Sequence, residues 1–263
     1  MSNKDNNNRS PKTTEIGPGV YTIDLSSWTK FHDVVELFLN HPRWIFRGHR
    51  KNTWKLEPTL LRLVKGRPNY EAIVKSHLKA FRYALRGRRG PNPPLLRDDN
   101  DVFALGQHNG LATPLLDWTT SPYVALFFTF AKNVPDDSTP TRTVFCLNET
   151  RIKRVSREMS KDILGDDAIY FHRPLSDENS SLVSQSGLFT VSTGITDIET
   201  WVLRNWKDKD PKNAVLIKVQ VPDNDREECV KALNRMNINY ASLFPDIRGA
   251  CKHANMMLEI KNY

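Results

Sequence analysis

Apolar and polar positions along the chain recur in two rhythms, and each rhythm marks a kind of element. After Ser26 and Ser27, WTKFHDVVELFLN places Phe31, Val34, Val35, Phe38 and Leu39 at helical spacing, which predicts a capped amphipathic helix ending near Asn40 and Pro42. WIFRG (44–48) follows as a short strand, and WKLEPTLLR (54–62) reads as an extended stretch turning at Pro58. Ile73, Val74, Leu78, Phe81, Tyr83 and Leu85 predict a helix over 70–85, which RGRRGPNPP (86–94) breaks into an exposed basic tip.

The densest pattern is DVFALGQHNGLATPLLDWTTSPYVALFFTFA (101–131). It predicts a helix over 101–108 stopped by Asn109 and Gly110, then a buried strand in TPLLDW. A second helix follows, capped by Thr120 or Ser121, with Pro122 at its first position and apolar residues on nearly every side. RTVFCLN (142–148), GLFTVS (187–192) and NAVLIKVQVP (213–222) are rich in β-branched and aromatic residues and predict strands. NDREECVKALNRMN (224–237) predicts a helix, and the stretch from Tyr240 to Leu258 closes with another. Helices crowd the first half and strands the second. With no repeat and no composition break, the reading is one α+β domain over residues 19–263, preceded by a polar segment 1–18 that is disordered or loosely attached.

Composition narrows the classes of function. No window of 18 residues is apolar throughout and the polar start lacks the core of a signal peptide, so a soluble, unexported, cytoplasmic protein with no membrane partner is expected. Three unclustered cysteines, Cys146, Cys229 and Cys251, argue against a disulfide framework or a cysteine-based metal site. The seven histidines have no metal-ligand spacing, and neither a Gly-rich phosphate loop nor a G-x-S-x-G elbow is present. No metal is expected.

Charge changes the picture more. The chain carries a net +8, yet residues 43–97 alone hold fifteen Lys and Arg against Glu57 and Glu71, a local +13 that leaves the remainder at −5. A field so concentrated attracts polyanions, nucleic acid first, and Arg86, Arg88 and Arg89 are its expected target-binding tip. Trp44, Trp54, Phe81 and Tyr83 lie among these cations as possible base-stacking surfaces. Within the segment, Arg47 ends an apolar strand, where a guanidinium that cannot lose its charge requires a partner, from the protein or from a ligand.

FRG at 46–48, LGQHNGLATPLLDWTTSPYVALFF at 105–128, QSGLFT at 185–190 and SLFPDIRGA at 242–250 together resemble the FRG-domain family, named for its Phe-Arg-Gly signature. Members often carry an arginine a few residues before the Q-x-G-x-F block; here Asn179, Ser180 and Ser181 stand in its place, so a ligand-binding role for it is absent here or has moved to Arg173. The order of elements also resembles, more distantly, the mono-ADP-ribosyltransferase fold, which implies a mixed or antiparallel split sheet and NAD as substrate. In that resemblance Arg47 is the arginine that fixes NAD, Asp117 to Ser121 are the serine-bearing motif at the nicotinamide pocket, and Gln185 stands where a glutamate steadies the ribose.

The resemblance thus implies Arg47, Asp117 and Gln185 as catalytic residues and Arg47, Gly48, Gln107, His108, Thr119 and Ser121 as NAD-binding ones. Glutamine brings no negative charge, so a different carboxylate is needed, with Asp117, Glu199 and Asp246 the candidates in that order. The resemblance further implies a bacterial toxin or anti-phage effector, held by an antitoxin or regulatory protein. Plainer readings stay open beside these. Arg47 as a structural arginine paired with Asp117 or Asp246, Thr119, Thr120, Ser121 and Asp246 as helix caps, and a non-catalytic RNA- or nucleotide-binding domain all fit the same residues.

Overall fold

Strand alternation in WIFRGH decides how the sheet is dressed. The computed structural model describes residues 12–41, 43–133, 140–159, 168–174 and 180–263. In it Trp44–His49 forms β3, with Ile45, Arg47 and His49 on one face and Trp44, Phe46 and Gly48 on the other. The other strands are β1 (Thr13–Gly17), β2 (Val20–Asp24), β4 (Leu115–Thr119), β5 (Thr141–Asn148), β6 (Ile169–His172), β7 (Gly187–Ser192) and β8 (Leu216–Pro222). They form one eight-stranded sheet in the order β1-β2-β8-β5-β3-β4-β7-β6, in which β2 and β8 run parallel and every other pair antiparallel. The architecture is mixed α/β, with the helices distributed over both faces.

One face carries α1 (Phe31–Leu39), α5 (Pro122–Phe130), α9 (Arg226–Arg235), α10 (Tyr240–Leu243) and α11 (Ile247–Glu259), packed on Phe46, Val144, Cys146 and Val219. The opposite face is covered by α6 (Glu149–Met159) and α8 (Ile198–Asn205), whose Ile152, Val155, Trp201 and Val202 pack on Ile45, Trp118 and Phe145. Toward the β6 edge, α3 (Tyr70–Leu85) and α4 (Asp99–His108) bury Leu78 and Phe103 against Leu115 and Phe189. Two short helices complete the set, α2 (Thr59–Leu63) and α7 (Ser180–Ser184).

Several expectations are corrected. Helices and strands are interleaved through the whole chain, because the charged segments 149–159 and 198–205 form helices that need only a few apolar residues to cover the sheet. The stretch expected to be extended around Pro58 contains α2, which Pro58 precedes in an extended conformation and which buries Leu60 and Leu61. Residues 13–17, placed by the sequence in a loose N-terminal segment, form the edge strand β1; its polar, exposed side chains give no apolar signal, and backbone pairing with β2 holds it. Residues 1–11 lie outside the described residues.

The sheet is continuous, but one seam in it is thin. β3 pairs with β5 along its whole length, whereas β3 and β4 are in register only at Phe46 and Thr119 and then part. α5 lies close over β3 beside that seam. A β-carbon at residue 48 would overlap the Ala125 carbonyl and Thr129 Oγ1 and stand 2.7 Å from the Thr129 nitrogen, so only glycine admits this approach.

Candidate functional site

Where β3 and β4 diverge, a cavity of about 910 Å³ opens, large enough for a nucleotide-sized ligand. Its lining includes Arg47, Gly48, His49, Arg50, Trp54, Lys55, Glu57 and Arg62 from β3 to α2, Gln107, His108, Asp117 and Thr119 from α4 and β4, and Phe128, Ser181, Gln185 and Phe244. Its floor is the seam itself.

Arg47 bridges that seam. Its Nη1 donates to the Asp117 carbonyl at 2.7 Å and approaches the Asp117 carboxylate at 3.4 Å, taking over where ladder bonds between β3 and β4 stop. Its Nε donates to His49 Nε2 at 3.0 Å, which fixes that nitrogen as an acceptor, so Nδ1 carries the proton and donates to the Trp54 carbonyl at 3.3 Å. Burial, followed by the field of Arg47 and further by Arg62 and Arg50, pushes His49 down to about 3; the ring is neutral at physiological pH. Burial also lowers the pKa of Arg47, with Asp117 opposing the shift, and the guanidinium remains charged. The side chain is 21% exposed, shielded but open to the cavity.

Asp117 is 60% exposed and accepts from Gln107 Nε2 at 2.7 Å, while Gln107 Oε1 receives the Thr113 hydroxyl. The C-terminal turn of α4 thereby aims the carboxylate. Asn109 and Gly110, the latter at φ +93°, end α4 there, as the sequence predicted. Across the seam, Thr119 Oγ1 donates to the Gln185 carbonyl and accepts from the Ser121 amide, and Ser121 caps α5, with Pro122 beginning the helix. The Gln185 amide donates to the Leu243 carbonyl at 3.0 Å, tying α7 to α10. Asp246 caps α11, and Gly249 lets that helix press on Phe244, because a β-carbon there would lie 2.7 Å from Phe244 Cβ.

Of the expected site residues, the cavity wall brings together Arg47, Gly48, Gln107, His108, Asp117, Thr119 and Gln185. Ser121 acts as a cap and is not part of the wall. Among the competing carboxylates, Asp117 stands beside Arg47, whereas Glu199 is held by Lys218 at 3.0 Å and Asp246 by its helix. Arg173 does not take the place of the missing arginine: it makes a double ion pair with Glu149 outside the wall. Ser181 stands in the wall instead, its buried Oγ without a hydrogen-bond partner among the described residues. Arg86, Arg88 and Arg89 follow α3, at the opposite end of α4 from Gln107 and His108; ten helical residues separate the two ends, about 15 Å.

Sequence reading missed Arg50, Glu57, Arg62 and His49 as cavity residues, since a charge count over 43–97 treats every cation alike. Among the described residues one other cluster, Asp98, Asp101 and His172, gathers potential metal ligands. Asp98 caps α4 there, and Asp101 receives the Arg97 amide and faces His172 Nε2 at 3.0 Å, so helix capping and a side-chain hydrogen bond account for it.

Residues 42–138, from the start of β3 past α5, match the family model of the FRG domain. Over that stretch the chain is similar to the FRG domain. Phe46, Arg47 and Gly48 of its signature have three separate tasks: Phe46 packs beneath α5, Arg47 bridges the seam toward the cavity, and Gly48 clears the way for the helix. The FRG match supplies Arg47, Gln107 and Asp117, while Ser181, Gln185 and Phe244 reach the cavity from beyond it. No curated protein and no solved structure matches the chain. No helix among the described residues is long and apolar enough to cross a membrane.

Proposed function

We propose that the cavity binds NAD and that the protein is an ADP-ribosyltransferase acting on a macromolecule, nucleic acid foremost. The observation that carries this reading is the pairing of Arg47 with an exposed carboxylate, Asp117, on the wall of a nucleotide-sized cavity. Trp54, Phe128 and Phe244 offer flat apolar surfaces to nicotinamide or adenine.

In this reading the bond between ribose C1′ and the nicotinamide nitrogen breaks, its electron pair leaving with nicotinamide. The oxocarbenium-like ribose is stabilised by the Asp117 carboxylate. A nucleophile of the target forms the new bond at C1′ and passes its proton to Asp117. Arg47 Nη2, the guanidinium nitrogen that makes no bond to His49 or Asp117, orients the ribose or its phosphate. The basic tip at Arg86, Arg88 and Arg89, beyond the far end of α4, receives the nucleic acid.

A second reading has its own support. Gln185 brings no charge and its amide is engaged with Leu243, which favours a nucleotide-binding domain without turnover. Incubation with NAD labelled on the adenylate phosphate tests both. Nicotinamide release together with nuclease-sensitive label, lost in Arg47→Ala and Asp117→Asn, is the expected result. NAD binding without nicotinamide release selects the second reading, and absence of NAD binding in calorimetry overturns both.

A further inference from the structure

A tally of donors around the seam shows that Arg47 is poorly placed to hold a phosphate by itself. Its Nε is engaged by His49 and its Nη1 by the Asp117 carbonyl and carboxylate. Only Nη2 remains, so the fork that grips a phosphate through two parallel hydrogen bonds is closed.

The neighbouring cations divide sharply. Lys55 is matched by Asp197 at 3.3 Å, and Lys65 by Glu57 at the same distance. Arg62 is held by neutral oxygens alone: Nη1 donates to the Glu57 carbonyl at 2.8 Å and Nη2 to the Thr59 hydroxyl at 3.1 Å. Arg50, the last residue of WIFRGHR, makes no hydrogen bond and no ion pair among the described residues. Its guanidinium lies over the Trp54 ring at 5.0 Å, and Trp54 is itself 41% exposed. A contact of this kind with the ring uses none of the guanidinium's N–H groups as hydrogen-bond donors, so they stay available to a ligand. Both arginines line the cavity, and the fields of both act on the buried His49. Two positive charges therefore face the cavity without an acidic counterpart, Glu57 and Asp117 being already engaged.

We propose that Arg50 and Arg62 form a clamp for the diphosphate of a nucleotide, with Arg50 gripping one phosphate through two hydrogen bonds and Arg62 neutralising the second. The inference rests on the reading of the cavity as a nucleotide site and assigns its phosphate end to residues outside the Phe-Arg-Gly signature. Two uncompensated guanidiniums match two adjoining phosphates in charge, and a planar donor edge matches phosphate oxygens in shape.

Calorimetry of the full chain at fixed ionic strength tests it, with ADP-ribose, inorganic pyrophosphate, inorganic phosphate and adenosine as probes. ADP-ribose and pyrophosphate should bind, phosphate at least about tenfold more weakly than pyrophosphate, and adenosine weakest of all. Arg50→Ala should raise the Kd for pyrophosphate by about 10- to 100-fold, and Arg50→Lys should recover only part of that loss, since an ammonium lacks the planar fork. Arg62→Gln keeps amide donors for the Glu57 carbonyl and Thr59, so an unchanged thermal midpoint with weakened pyrophosphate binding assigns its role to charge. Equal pyrophosphate affinity in wild type and Arg50→Ala overturns the clamp, as does an RNA oligonucleotide bound there that pyrophosphate does not displace. Pyrophosphate bound through Arg50 without nicotinamide release leaves the clamp standing and removes the transferase. Nicotinamide release with an unaltered Arg50→Ala affinity does the reverse.

Discussion

Arg47 and Arg142 sit on neighbouring strands and both are withdrawn from water, yet they behave as opposites. Arg142, in β5, is 1% exposed; its Nε meets Asp223, its Nη1 reaches the Thr129 and Lys132 carbonyls at 2.8 Å, and Phe130 lies beneath it. It closes the C-terminal end of α5, where unpaired carbonyls and the negative end of the helix dipole favour a cation. Arg47 instead bridges a parting in the sheet and lines the cavity, with a loose, solvent-facing counter-ion; each arginine leaves its Nη2 unbonded, but that of Arg142 is buried. Burial lowers the pKa of both. The withdrawal of an arginine from water therefore says little about its task; the destination of its N–H groups says more.

That contrast can be broken, and the largest effect is expected at Arg142. Arg142→Ala strands Asp223 and two helix-end carbonyls and should cost about 3–5 kcal/mol in urea unfolding. Arg47→Ala should cost about 1–2 kcal/mol, because water in the cavity can replace its bonds. Equal losses would erase the distinction. Gly48→Ala falls between the two, at about 3 kcal/mol, since the added methyl meets the backbone of Ala125 and Thr129 as well as the Thr129 hydroxyl.

Asp117→Asn sharpens the functional half. It should change stability by less than about 1 kcal/mol, as expected for an exposed partner, and slow nicotinamide release about a hundredfold. A further effect, absent at neutral pH and appearing only on acidification, concerns His49, whose lowered pKa makes the folded protein the form that binds fewer protons. Above about pH 6.5 its contribution to stability is complete; as pH falls from there toward 3, the unfolded chain takes up a proton that the folded ring refuses. Thermal or urea unfolding should show a loss of about 1.4 kcal/mol per pH unit within that window. His49→Gln, which keeps an acceptor for Arg47, should remove that slope.

The sequence displayed some of this plainly. α4, β4, α5 and β7 were legible because caps, breakers and apolar runs all agree there, and they carry Gln107, Asp117 and Thr119 to the seam. α2 was hidden, since five residues after a proline show no period, and Glu57 and Arg62 were hidden with it. β1 was hidden because an edge strand is held by its backbone. The basic segment misled in its own way. Its +13 looks like one field, but folding pairs Lys55 with Asp197, Arg82 with Asp99, Lys75 with Glu71 and Arg47 with Asp117, and leaves Arg50 without an acidic partner among the described residues. Contiguity in sequence gave the sum; only the fold shows which charges survive it.

The lone register pair between Phe46 and Thr119 also sets where the protein breathes. Seven registered pairs bind β5 to β8, so separating those strands requires broad unfolding, whereas parting β3 from β4 disturbs one pair and the Arg47 bridge. Amide protons along the inner edges of β3 and β4 should thus exchange with deuterium well before those of Val144 to Leu147. A ligand wedged into the opening would slow them without touching the rest of the sheet.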